Sequence, residues 1–252
     1  MNITIDIGNS RVKIGLFQEK NLVKLWQYEP ADFQEKFLSE LKKGKYLSDL
    51  KYLGWVNVGE KMLAPLLPFF TAQAPDCQWL PIHKDTVLPV ENAYRTPETL
   101  GMDRIVAVCG AFSVGHDGPL LVIDAGTAIT YDFLSRDNQY LGGGISPGLS
   151  TRFRALSTFT ANLPLVELKE PIPLVGETTE ESILSGVTNG FITEVEGTIQ
   201  RYRDQFGSDT QVFLTGGDAD FLGNHLKNVN FADSNLVLKG INSIIVHHQL
   251  HA

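Results

Sequence analysis

Ile3-Thr4-Ile5-Asp6-Ile7-Gly8-Asn9-Ser10, running into Val12-Lys13-Ile14-Gly15-Leu16-Phe17, decides the fold because the chain repeats it. The second version is Leu121-Val122-Ile123-Asp124-Ala125-Gly126-Thr127, running into Ile129-Thr130-Tyr131-Asp132-Phe133. Each is an apolar strand, then Asp-x-Gly followed by Asn or Thr, then a second β-rich strand. Glycine has no Cβ, so it permits a tight turn and lets backbone N–H groups approach an anion. The aspartate closing the strand supplies a fixed negative charge that can hold a metal ion beside a phosphate. One such hairpin, taken alone, reads first as a polar turn at a strand end. Two of them half a chain apart point to two related halves facing each other across a nucleotide.

Working outward, the 252 residues are 43% hydrophobic and 20% charged, which suffices for one large or two modest domains. The formal charge is -8 and no basic run occurs, which argues against nucleic acid as the main partner. Cys77 and Cys109 stand far apart without metal-ligand spacing, so neither a disulfide framework nor a structural zinc is expected. The longest apolar stretch, from Met62 to Phe70, is broken by Pro65 and Pro68 and is too short to span a membrane. Asp6 and the turn at Gly8-Asn9-Ser10 also occupy the place of a signal peptide's apolar region. The expectation is a soluble, cytoplasmic protein in a reducing compartment, with no membrane partner.

A hairpin over residues 3–17 is expected to be followed by a strand at Val23–Tyr28. A helix opened by Pro30-Ala31-Asp32 carries Phe33, Phe37, Leu38 and Leu41 at helical spacing. A buried strand at Tyr52–Val58, a short helix over Met62–Phe70 and a strand at Gln78–Ile82 come next. Residues 84–100 read as irregular, and Leu100–Phe112 as a helix. Val114-Gly115-His116-Asp117-Gly118-Pro119 is the turn-rich bridge that divides a half of residues 1–115 from one of 116–252. Beyond it come strands at 120–123, 128–134 and 140–145, and a helix over 147–156. Thr178–Phe206 is a long helix with Ile183, Val187, Phe191, Val195 and Ile199 on one face. A strand at Gln211–Leu214 closes in Thr215-Gly216-Gly217-Asp218, and a helix follows over Asn235–Leu250.

A Walker A sequence is absent. So is a dinucleotide fingerprint, since Gly142 and Gly144 are followed by Pro147 where the last glycine is needed. Nucleotide binding would therefore use the two hairpins. Paired phosphate hairpins with a Gly-Gly turn resemble the sugar kinase, Hsp70 and actin superfamily. Within it the chain resembles type III pantothenate kinase along nearly its whole length. The residues that carry this are Asp6-Ile7-Gly8-Asn9-Ser10, Gly101-Met102-Asp103-Arg104 and Asp124-Ala125-Gly126-Thr127. They continue with Gly142-Gly143-Gly144-Ile145-Ser146-Pro147-Gly148, Gly176-Glu177-Thr178-Thr179 and Leu214-Thr215-Gly216-Gly217-Asp218. Each is weak alone, but all six stand in order at compatible separations.

The resemblance implies an α/β fold of two ribonuclease-H-like halves with a nucleotide cleft between them. It also implies transfer of the ATP γ-phosphoryl to pantothenate at the entry to coenzyme A synthesis. Gly8, Asn9, Ser10, Gly126 and Thr127 would cradle phosphates, Asp6 would help place Mg²⁺, and Gly216 and Gly217 would form the adenosine turn. Asp124 is similar to the family's monovalent-cation ligand, for K⁺ or NH₄⁺. Lys13 on the return strand could reach a phosphate, or be a solvated strand lysine. Gly101, Met102, Asp103 and Arg104 form the implied substrate motif. From chemistry alone Asp103 reads first as an N-terminal cap of the helix beside a solvated arginine. A carboxylate there can accept the proton of an attacking hydroxyl, and Arg104's planar fork suits a carboxylate substrate. Tyr94 resembles the family's pocket tyrosine, or is a partly buried aromatic. Thr179 resembles its substrate-binding threonine, although Thr178-x-x-Glu181 is also a capping box and either threonine can start the helix. A homodimer is implied as well. The rival readings are a non-catalytic accessory factor for transcription and another small-molecule kinase of the superfamily.

Overall fold

The computed structural model describes residues 1–8, 10–44, 46–56 and 60–251. It divides into two units, Met1–Gly115 with Leu236–Ala252, and His116–Asn235. In the first, β1 (Asn2–Ile7) and β2 (Val12–Gln18) form the expected hairpin, and β3 (Asn21–Tyr28) adds antiparallel to β2. Strand alternation sends Ile3 and Ile5 to one face and Thr4 and Asp6 to the other. Against the apolar face, α1 (Phe33–Lys43) buries Phe33, Phe37 and Leu41, spaced by four. It returns the chain to β4 (Tyr52–Val56), parallel to β1, and onward to β5 (Gln78–Pro81), parallel to β4. The order is β3-β2-β1-β4-β5.

Two local expectations change here. The helix over 62–70 is split into α2 (Glu60–Leu63) and α3 (Leu67–Gln73). Pro65 falls in the break, and Pro68 sits in the first turn of α3, where a missing N–H removes no helical bond. β4 ends at Val56, and Asn57 and Val58 of the expected strand lie outside the described residues. The stretch 84–100 holds the two-residue strand β6 (Glu91–Asn92) and a 3-10 turn at Pro97–Thr99, before α4 (Met102–Val114).

In the second unit β7 (Leu120–Ala125), β8 (Ala128–Leu134) and β9 (Gln139–Pro147) form an antiparallel meander. After α5 (Leu149–Phe159) and α6 (Thr179–Phe206), β10 (Gln211–Thr215) lies parallel to β7. Two elements that the sequence did not announce, α7 (Ala219–His225) and β11 (Phe231–Ala232), are too short to show a period. Within this unit the order is β11-β10-β7-β8-β9, the same as β5-β4-β1-β2-β3 in the first. Ile183, Phe191, Val195 and Ile199 of α6 pack on Leu121, Ile123, Ile129, Tyr131 and Leu214, so the predicted face is the buried one. Asp132, 1% exposed, is satisfied by two hydroxyls: Thr130 Oγ1 donates at 2.8 Å and Tyr140 Oη at 2.7 Å.

The C-terminal helix α8 (Leu236–His251) belongs to the first unit, not to the half of 116–252. It covers the sheet face opposite α1, where a Cβ on Gly54 would lie 2.8 Å from Ile245. Buried Asn242 fastens it, accepting from Asn2 Nδ2 at 2.9 Å and donating to Glu19 O at 2.8 Å. α4 packs in turn on α8. A Cβ on Gly110 would stand 2.2 Å from Leu236 O, and one on Gly240 1.9 Å from Val106 O, so the two helices meet backbone to backbone.

Candidate active site

At the first hairpin, β1 ends at Ile7 and Gly8 N donates to Arg11 O at 3.0 Å. Asp6 and Lys13 are directly paired across the strands and both are half-buried. Lys13 is therefore neither fully solvated nor remote from the strand-ending carboxylate. Ser10 is exposed in the turn, and Asn9 lies outside the described residues.

The second hairpin is more closely built. Gly126 N donates to Ala128 O at 3.0 Å, and Thr127 is exposed at the tip. A second turn supports this one from behind. Gly148 N and Thr151 Oγ1 both donate to Thr127 O, at 3.1 and 2.7 Å, and a Cβ on Gly148 would lie 1.9 Å from Gly126 O. A third turn closes beside it, where Asp218 N donates to Ala125 O at 2.9 Å. Gly216 has φ of +95°, and a Cβ there would stand 2.3 Å from Ala125 O and 2.5 Å from Asp124 Oδ1. Only glycine meets both the backbone angle and the space. Gly217 is exposed next to it. Asp124, Gly126, Thr127, Gly216 and Gly217 thus gather at the carboxyl end of β7, the place where open α/β sheets bind ligands.

Gly126 differs from its neighbours. A Cβ there would meet nothing nearer than Ala128 O at 3.7 Å and Asp124 Oδ1 at 3.9 Å. The fold therefore has room for a side chain at that position. Asp124, half-buried at a strand end among the carbonyls of this cradle, offers the oxygen donors that a hard or monovalent cation takes. Among the described residues no three His, Cys, Asp or Glu side chains gather around one point.

At the head of α4, Gly101 is the extended N-cap residue and Met102 opens the helix. Asp103 Oδ1 accepts from Arg104 N at 3.0 Å, and a Cβ on Gly101 would lie 2.7 Å from that oxygen. Arg104 is 8% exposed, with its guanidinium 5.9 Å from the centre of the Tyr94 ring. Tyr94 N donates to Asn92 Oδ1 at 3.1 Å, which fixes the approach of that tyrosine. Arg104 is therefore buried, not the solvated arginine of the bland alternative, and Tyr94, Asp103 and Arg104 form one group.

Thr178 is the N-cap of α6, with both halves of the capping box in place. Thr179 is the exposed first helical residue, so capping does not use its hydroxyl. Sequence reasoning missed Thr151 and Arg152 of α5 and Glu194 of α6. The first two stand three and four residues beyond Gly148 of the Ser146-Pro147-Gly148 segment, and that nearness is the signal which could have found them. It also passed over Asp218 as an ionisable group, whose burial pushes its carboxyl above the ordinary range.

Two sheets of one topology, each closing in a glycine hairpin, define the actin-like fold of the sugar kinases. Solved structures agree. A glucokinase from an Antarctic psychrotroph aligns with TM-score 0.51 and 13% identity over 98% of both chains. A Campylobacter jejuni protein assigned to the Baf family of transcriptional activators aligns with TM-score 0.62 and 22% identity, over 98% of this chain and 99% of that one. These likenesses show the fold. The family model for type III pantothenate kinase matches residues 2–201. The type III pantothenate kinase of Flavobacterium johnsoniae is 38% identical over 246 residues, 96% of each chain. That of Christiangramia forsetii is 40% identical over 245 residues, 97% of this chain and 98% of its own. The chain belongs to the type III pantothenate kinase family.

Proposed function

We propose that this chain transfers the γ-phosphoryl of ATP to the primary hydroxyl of pantothenate, giving 4′-phosphopantothenate for coenzyme A synthesis. The observation that carries the reading is the group at the head of α4, in a chain of this family: half-buried Asp103 beside Arg104, which is buried against Tyr94. Phosphoryl transfer needs a proton acceptor for the attacking hydroxyl and a clamp that orients the acceptor molecule. Asp103 accepts the proton. Arg104 meets the substrate carboxylate through its planar fork, with Tyr94 and Thr179 completing the hold. Both glycine hairpins serve the nucleotide, with Gly8, Asn9, Ser10, Gly126 and Thr127 on the phosphates. Lys13 adds charge there, and Gly216 and Gly217 take the adenosine. Asp6 would help hold Mg²⁺ with the nucleotide, and the ion would supply charge neutralisation on the phosphates.

The test is an assay of ATP consumption against pantothenate, a panel of sugars, and water. Turnover with pantothenate alone is expected. ATP binding with no turnover would instead favour the non-catalytic accessory reading, and turnover with a sugar would favour another kinase of the superfamily.

Asp124 further holds a monovalent cation, K⁺ or NH₄⁺. The reading is supported by its place at the strand end, where a Cβ on Gly216 would lie 2.5 Å from Asp124 Oδ1 and 2.3 Å from Ala125 O, so that carboxylate and carbonyl oxygens stand close together. Replacing sodium by potassium at constant ionic strength should raise the rate, and Asp124→Ala should remove the difference. Equal rates in the two salts would leave Asp124 as a hairpin residue only. The enzyme works in the cytoplasm as a homodimer, without nucleic acid or membrane partners. No described helix is long and apolar enough to cross a membrane.

A further inference from the structure

Arg152, in the first turn of α5, is tied to two other elements of the second unit, β9 and α6. Its Nε donates to Pro147 O at 2.8 Å, and its Nη2 donates to Ser146 Oγ at 3.0 Å and to Glu194 Oε2 at 2.7 Å. The guanidinium lies 5.0 Å from the centre of the Phe191 ring. The side chains of Arg152 and Glu194 are 20% and 34% exposed, so this pair is partly withdrawn from water. Tyr131 Oη donates to the other oxygen of Glu194 at 3.4 Å. Burial first, then the charge of Glu194, push the Tyr131 phenol upward, which keeps it a donor.

What Arg152 grips is the segment that backs the second hairpin. Pro147 leads into Gly148, which touches Gly126 O and donates to Thr127 O, and the same helix turn sends Thr151 to that oxygen. A line of contacts thus runs from Glu194 on α6 through Arg152 to the turn at 126–127. An exposed ion pair contributes little to stability. A fork that fixes one carbonyl, one hydroxyl and one carboxylate together fixes a position instead.

We propose that Arg152, held by Glu194, is a positioning residue for the nucleotide. It seats Ser146-Pro147-Gly148 against the Gly126-Thr127 turn and so sets the geometry that the turn presents to phosphate. The inference rests on the reading above that this turn serves ATP.

The test compares Arg152→Met, Arg152→Lys and Glu194→Gln with the wild type. The readouts are KM for ATP, KM for pantothenate, melting temperature, and calorimetric affinity for a non-hydrolysable ATP analogue. Displacing a binding turn by an ångström costs up to ~100-fold, so Arg152→Met should raise KM for ATP and weaken the analogue by ~10-fold or more, with KM for pantothenate within about twofold. Arg152→Lys should not rescue, because a point charge cannot make the fork. Glu194→Gln should fall between. Arg152→Met binding the analogue as wild type does would overturn the proposal. So would equal rises in both KM values with a lowered melting temperature, which is what a merely structural arginine gives. If Arg152→Met does not fold, the other two variants make the same comparison. A wild type that binds the analogue yet leaves pantothenate untouched would overturn the functional reading, while the binding comparison still decides the role of Arg152.

Discussion

Asp103 carries the heaviest assignment of any single residue. One of its oxygens is occupied by the backbone N–H of Arg104, which turns the carboxylate toward the helix head and away from solvent-side freedom. Asp103→Asn preserves that hydrogen bond and the shape, and removes the proton acceptor. Turnover should drop ~10²–10⁴-fold, the usual worth of a general base, with affinity for a non-hydrolysable ATP analogue retained. A variant with near-wild-type turnover would sink the assignment. Asp218 makes a prediction about pH instead. Its burial raises its carboxyl in the folded protein above the unfolded value, so ionisation costs more in the folded state. The unfolded chain then binds fewer protons than the folded one between the two values, and stability falls as pH rises through that interval. Below the ordinary carboxylate range the penalty vanishes, and above the raised value it is complete. Asp218→Asn should therefore melt higher than wild type at neutral pH, with the advantage fading as pH falls through the raised value and gone below about 4, the ordinary range. A melting difference that is the same at every pH would show that desolvation of this charge is not the cause.

At the scale of elements, glycines in helices have two opposite meanings here, and stability separates them. Gly240 of α8 sits where a Cβ would be 1.9 Å from Val106 O, while around Gly197 of α6 nothing lies within 4 Å. Gly240→Val must push two helix backbones apart and should cost roughly 3 kcal/mol, the upper part of the range for overpacking. Gly197→Ala should add about 0.5–1 kcal/mol, since an exposed helical glycine only loses entropy. Denaturant midpoints for the two variants check both signs, and a tolerated Gly240→Val would show that α4 and α8 can separate. The same contrast explains what the sequence made legible. α1 and α6 were readable because their apolar residues recur every four positions on one face. The hairpins were readable because Asp-x-Gly interrupts alternating strands twice. α8 was readable as a helix but not as a member of the first unit. Its assignment depends on Asn242 meeting Asn2 across 240 positions and on small residues admitting a close crossing, and neither leaves a periodic trace. The candidate site divides in the same way. The motif residues could be named from their order along the chain. The support that Arg152 and Glu194 give to the second hairpin comes from 42 positions apart and exists only in three dimensions.

For the molecule as a whole, both units use one strand order, and each commits its first strand's carboxyl end to a glycine turn. The remaining surface of the second unit has a different character. Phe159 is 85% exposed, Leu174 83% and Val175 77%. Single exposed apolar residues need no explanation, but large ones on a backbone that is held in place do. Here the backbone is held. Ser185 Oγ donates to Leu174 O at 2.7 Å, and Asn189 Nδ2 donates to Pro173 O at 3.1 Å, so α6 pins the segment from beneath. At the end of α5, Thr160 Oγ1 donates to Leu156 O at 2.6 Å, which fixes the turn that follows Phe159. These side chains face water on an anchored frame. They support the proposal that a second copy covers them. Light scattering after size exclusion should then give the mass of two chains for wild type and of one for the Leu174→Asp, Val175→Asp double variant. Because the substituted residues are already solvent-facing, the melting temperature of the variant monomer tests only what dimerisation adds, and that contribution should grow with protein concentration for wild type alone. A wild type that runs as one chain at every concentration, or a double variant that still runs as two, would remove these residues from the interface.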